Sequence, residues 1–193
     1  MKSITVFCGS SAGFQNVYQN IATELGVFFA KNNIELIYGA GKVGLMGIIA
    51  DAVLNNNGKV TGIIPELLKK EEVVHTGLTQ TLFTKTMSER KVLMSKMTDA
   101  YVILPGGFGT LDELFEALTL QQLHIEQKPV GILNINGFFD ATLQQLDVMV
   151  REGFLKPQNR EMLVVDITIE GLFTKLKNYK APQKTHVINK VVK

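Results

Sequence analysis

Apolar runs of four to six residues alternate along the chain with longer segments in which apolar positions recur every three or four residues. The short runs have the character of strands buried on both faces, the longer segments that of helices with one buried side. Strands are predicted at 4–8, 34–38, 60–64, 78–83, 100–104, 130–133 and 162–165, and helices at 16–31, 45–55, 87–97, 110–124, 138–152 and 169–179. Strands that alternate with helices pair in parallel, and right-handed crossovers put the helices on both sides. The expected fold class is therefore α/β: a doubly wound, mostly parallel Rossmann-like sheet with helices on both faces. Ligands of such sheets bind at the carboxyl ends of the strands.

Glycines mark those ends. Gly9-Ser10-Ser11 follows the first strand, Gly39-Ala40-Gly41-Lys42-Val43-Gly44 the second, and Pro105-Gly106-Gly107 the fifth. In the last case an apolar strand runs into a glycine turn and a helix expected to begin at Thr110, with Glu113 in its first turn. Missing Cβ atoms and unpaired helix N–H groups make such a turn an anion site. The same residues also suit a capped helix start that binds nothing.

Gly39, Gly41 and Gly44 match the G-x-G-x-x-G spacing of dinucleotide sites, and Glu66 lies where a ribose-binding acid would stand. The unit uses the second strand instead of the first, so the match is a weak one. A Walker loop is excluded, because no glycine stands five residues before Gly41 and Lys42 is followed by Val43. In the helix at 87–97, Met87, Arg90, Met94 and Met97 share one face. An arginine inside a methionine stripe either snorkels to solvent or a carboxylate, or points to the glycine loops to hold an anion or ribose, with Met87 as a wall for a flat base.

Composition narrows the classes. The 193 residues are 46% hydrophobic, enough for one domain, expected over residues 1–180 and followed by a basic tail at 181–193. A net charge of +2 leaves no footprint for nucleic acid, and no apolar run is long enough to cross a membrane. The single cysteine, Cys8, excludes an internal disulfide framework and suits a cytoplasmic protein. His124 has no His or Cys partner at ligand spacing, so no metal is expected.

These motifs carry a resemblance. Pro105-Gly106-Gly107-Phe108-Gly109-Thr110 through Glu113 resembles the P-G-G-x-G-T-x-x-E motif of the "lonely guy" family of cytokinin-activating nucleoside 5'-monophosphate phosphoribohydrolases. Met87 to Lys91 resembles its M-x-x-R-K, and residues 39–47 its G-G-G-x-x-G-L-M-G, with Ala40 in place of the middle glycine. The likeness runs from about residue 4 to residue 155; Leu120, His124 and Glu126 depart from the pattern. It implies a nucleotide-binding domain that hydrolyses the N-glycosidic bond of AMP or N6-prenylated relatives, with no cofactor, as a homodimer. It further implies Arg90 and Glu113 as the catalytic pair, with Gly106, Gly107, Gly109 and Thr110 at the phosphate. Ser10, Glu72, Met87, Lys91 and Thr119 complete the implied substrate contacts.

The chemistry stands on its own footing as well. Ribosyl cleavage passes through an oxocarbenium-like state, which a carboxylate beside the ribose can stabilise. On the helix at 110–124, Leu111, Leu114, Phe115 and Leu118 are expected to face the sheet, and Glu113, Ala117, Leu120 and His124 a partner subunit. Three other classes remain: a non-catalytic nucleotide or cofactor carrier on the same fold, a dinucleotide-dependent oxidoreductase, and a pyridoxal-phosphate decarboxylase, for which no lysine has a recognisable setting.

Overall fold

A computed structural model describes residues 1–69 and 74–182. Glu72 and nearly all of the expected tail lie outside the described residues. Seven strands are present among the described residues: β1 (Ser3–Phe7), β2 (Glu35–Tyr38), β3 (Val60–Pro65), β4 (Gln80–Thr84), β5 (Ala100–Ile103), β6 (Val130–Leu133) and β7 (Leu163–Asp166). They form one sheet in the order β4-β3-β2-β1-β5-β6-β7, and every pairing is parallel. The chain winds outward from β1 to β4, then returns across the sheet to lay β5 on the other side of β1. That reversal opens a crevice between the loops after β1 and β5.

The helices are α1 (Asn16–Lys31), α2 (Gly44–Asn55), α3 (Met87–Met97), α4 (Phe108–Gln122), α5 (Asp140–Arg151), α6 (Pro157–Arg160) and α7 (Ile169–Asn178). Strand alternation divides the core between the two faces. Ile4, Val6, Leu36 and Tyr38 pack with Leu25 and Phe29 of α1, Ile49 of α2 and Phe173 of α7. Phe7, Ile37 and Tyr101 pack on the other face with Met94 of α3, Leu114 of α4 and Leu146 of α5. The seven strands and six longer helices stand where hydrophobic periodicity predicts them, within about two residues. The four-residue helix α6, entered through Pro157, was not expected; it is too short to show a period.

Helix α4 departs from expectation in two ways. It begins at Phe108, with Gly107 as its N-cap, two residues before Thr110, so Glu113 stands in the second turn and the first turn carries no acid. Its buried line is Thr110, Leu114, Ala117 and Gln121, whereas Phe115 is exposed. Ala117 was expected on the outer side and Phe115 on the inner. The small side chains of Thr110 and Ala117 let the helix approach the sheet closely, while Leu111 and Leu118 flank the contact. His124, expected in a core or interface, takes a left-handed φ of 56° and closes the helix: its N–H donates to Gln121 O (3.0 Å) and that of Ile125 to Leu120 O (2.9 Å).

Candidate functional site

The loops after β1, β2 and β5 meet at the carboxyl edge of the sheet, as the glycine spacing predicts. Gly9 N–H donates to Pro105 O (2.9 Å) and Leu45 N–H to Gly9 O (3.1 Å). A Cβ on Gly106 would lie 2.8 Å from Gly9 N and against the Thr110 hydroxyl. One on Gly44, whose φ is +64°, would press into the backbone of Ser10 and Ser11. Backbone can meet backbone here only without side chains.

Gly107 and Gly109 differ, because a Cβ on either meets nothing within 4 Å. Both face open space at the N-terminus of α4, so an incoming anion can reach the unpaired N–H groups. The acid-free first turn leaves the positive end of the helix dipole to that anion. Exposed Ser10 sits beside this loop, and Thr110 is buried beneath it.

Arg90 and Glu113 come together on the β3 side of the cradle. The Arg90 guanidinium donates through Nε to Ile63 O at the end of β3 (3.0 Å) and through Nη1 to Met87 Sδ (3.3 Å) and Glu113 Oε1 (3.4 Å). Each side chain of the pair is 13% exposed. Arg90 thus stays out of solvent and meets a carboxylate, and its guanidinium also lies beside the glycine loops. Its Nη2 lies where a Cβ of Gly39 would be, which gives the first glycine of the G-x-G-x-x-G run a role unconnected with a dinucleotide. Burial pushes the Glu113 carboxyl up to about 7; Arg90 and Lys91 pull it down, and Asp112 and Glu116 add to the rise. A carboxyl poised there can take or give a proton at neutral pH.

Lys91 turns a different way from its neighbour. Its ammonium bonds Asp112 Oδ2 (2.8 Å) and Glu116 Oε2, both on α4. Burial lowers its basicity, but those two hydrogen bonds outweigh it and leave the group above its usual range. Met87 is 41% exposed at the mouth of the site. Thr119 is not brought to the cradle: its hydroxyl donates to Phe115 O (2.7 Å), and it borders a groove with Leu146, Met149 and Leu155.

Sequence reasoning missed a pin beside the site. Buried His75 binds Asp51 of α2 through Nε2 (2.9 Å), accepts from Gly77 N–H at Nδ1 (3.0 Å) and donates its backbone N–H to Ala40 O (2.9 Å). With the Gly41–Val74 bridge, it fastens residues 74–77 onto the second glycine loop. Asp51 and His75 are far apart in sequence and in no motif, so no local signal marks them. Among the described residues no group of three or more His, Cys, Asp or Glu side chains could hold a metal. No described helix is long and apolar enough to cross a membrane.

Comparison with known proteins gives this arrangement relatives. The family described as "Possible lysine decarboxylase" matches residues 46–176. The cytokinin riboside 5'-monophosphate phosphoribohydrolase LOG1 of Arabidopsis thaliana is 42% identical over 189 residues, covering 98% of this chain and 88% of the relative. LOG3 of the same plant, which carries the same description, is 42% identical over 190 residues, with 98% and 88% covered. A solved structure titled TM1055 superposes with a TM-score of 0.69 at 24% identity, covering 93% of this chain and all of that one. The molybdenum cofactor binding protein of the phototrophic bacterium Rippkaea orientalis gives 0.69 at 20% identity, with 92% and 97% covered. At those identities the structures share the fold alone.

The raised Glu113 carboxyl has a consequence for stability. Its folded-state value near 7 exceeds its ordinary 4.5, so the folded protein holds the extra proton between those limits. Stability from this group is therefore lost as pH rises through that window, a cost of about 3 kcal/mol above pH 7. Glu113→Gln is expected to unfold at a higher temperature than the unsubstituted protein at pH 8, with the gain gone by about pH 4.5. Thermal melts across that range check it, and a pH-independent difference would contradict it.

Proposed function

Because the chain belongs to the family of cytokinin riboside 5'-monophosphate phosphoribohydrolases, we propose that it hydrolyses the N-glycosidic bond of AMP or an N6-prenylated AMP, releasing the free base and ribose 5-phosphate. The observation that carries this reading is the buried Arg90–Glu113 pair beside an anion cradle whose helix has no acid in its first turn. The phosphate binds the backbone donors of Gly106, Gly107, Gly109 and Thr110, with Ser10 at its side. The ribose then lies toward Glu113 and the base toward Met87. As the bond between C1′ and the base nitrogen breaks, positive charge grows on the ribose. The Glu113 carboxylate opposes that charge and accepts a proton from the water that adds to C1′, while the leaving base takes its proton from solvent. Arg90 orients the nucleotide and offsets charge on the departing base.

The assembly belongs to the same reading: a homodimer covers the outer side of α4 and closes the site. Phe115, Leu123 and Ile125 support it, since all three are exposed apolar residues on or just after this helix. The lone cysteine supports a reducing, cytoplasmic setting.

Four measurements test these statements. Release of ribose 5-phosphate from AMP and from isopentenyladenosine monophosphate should be seen in the unsubstituted protein. Glu113→Gln should lower turnover by about 100-fold or more while nucleotide still binds. Bound nucleotide without turnover in the unsubstituted protein would favour a carrier. Gly39→Ala should push the Arg90 guanidinium aside, because the far end of a flexible side chain yields first. We expect an intact fold and a rate lower by about 100-fold, a typical result of misplacing a catalytic group by ~1 Å; an unchanged rate would remove Arg90 from the mechanism. In sedimentation at micromolar concentration the protein should run as twice its 21.3 kDa chain mass, and a monomer would contradict the dimer.

A further inference from the structure

Arg90 and Lys91 are consecutive on α3, so their side chains leave the helix about 100° apart. Both nevertheless reach α4. Arg90 meets Glu113, and Lys91 bridges Asp112 and Glu116, which stand four residues apart on one side of α4 and bracket Glu113 in sequence. We infer that Lys91 is a positioning residue, whose bridge to Asp112 and Glu116 locks α3 against α4 and so holds Glu113 opposite Arg90. The inference rests on Glu113 being the reacting carboxylate.

Three observations carry it. The Lys91 ammonium is already occupied by two carboxylates, which leaves it ill suited to a substrate phosphate. Its side chain is 22% exposed, against 63% for Asp112 and 39% for Glu116, so the cation is the most covered member of a bridge that joins the two helices. The third is the charge around Glu113. Arg90 and Lys91 face it from α3, Asp112 and Glu116 flank it on α4, and the buried Cys8 thiol lies at the end of β1. Without Lys91, two neighbouring negative charges lose their partner and oppose ionisation of Glu113.

The test compares Lys91→Met, Lys91→Arg and the double variant Asp112→Asn with Glu116→Gln, reading kcat and KM for AMP and the Glu113 titration by carbon NMR. We expect Lys91→Met to lower kcat about tenfold or more with KM little changed, and Lys91→Arg to restore most of it. The double variant should lose kcat to a similar extent, and combining it with Lys91→Met should add little, because the three residues act as one unit. The Glu113 midpoint should rise above about 7 in Lys91→Met. A KM raised tenfold or more at constant kcat in Lys91→Met, with the double variant silent, would overturn the inference and make Lys91 a substrate contact. Absence of turnover in the unsubstituted protein would defeat the hydrolase reading instead. The bridge would then be decided by thermal melts: Lys91→Met and the double variant should each lower the melting temperature with little further loss in combination, and fully additive losses would overturn it.

Discussion

Where the loops after β1 and β5 cross, backbone lies against backbone, with Gly9 N–H on Pro105 O and no room for a Cβ on Gly106. This contact sits at the reversal of strand order, so it sets both the crevice and the point from which α4 departs. A side chain at either glycine would part the two loops and move the N-terminus of α4. Everything on that helix, from the open N–H groups at Gly107 to the carboxyl of Glu113, takes its position from there. The second glycine loop is tied to the same place through Gly44 and Leu45.

Opposing charges act at short range behind that contact. Burial alone would force Glu113 to stay protonated, and Arg90 alone would keep it ionised; together they leave it near neutrality. The guanidinium is itself held by Ile63 O and by the clearance at Gly39, so the ion pair belongs to the sheet edge as much as to α3. Stability is given up to keep such a carboxyl out of water. The bare first turn of α4 completes the balance, since an acid there would compete with an anionic ligand for the helix end.

The family's description as a possible lysine decarboxylase and the structural likeness to a molybdenum cofactor binding protein show how little a fold alone says about chemistry. Proteins that share this fold can differ in what lines the crevice. What separates them is the side chains around it, here a guanidinium and a carboxyl brought into contact under cover.

Much of this was legible in the chain itself. Apolar runs and helical periods mark the seven strands and the longer helices, because burial on a sheet face or helix side is a local property repeated along the sequence. The glycine loops and Arg90 were visible because each breaks the pattern around it, whereas Glu113 was singled out through the family motif. The start of α4 was placed two residues late because Phe108, a bulky apolar residue between glycines, shows no period, and Gly107 caps the helix without a polar side chain. Only the tertiary structure decided that Ala117, not Phe115, lies against the sheet, since the closeness of two packed elements depends on the small residues between them. It also decided what Gly39 is for, where Lys91 goes and why His75 meets Asp51. Each of those contacts joins residues distant in sequence, and no periodicity along a chain records which distant groups folding will bring together.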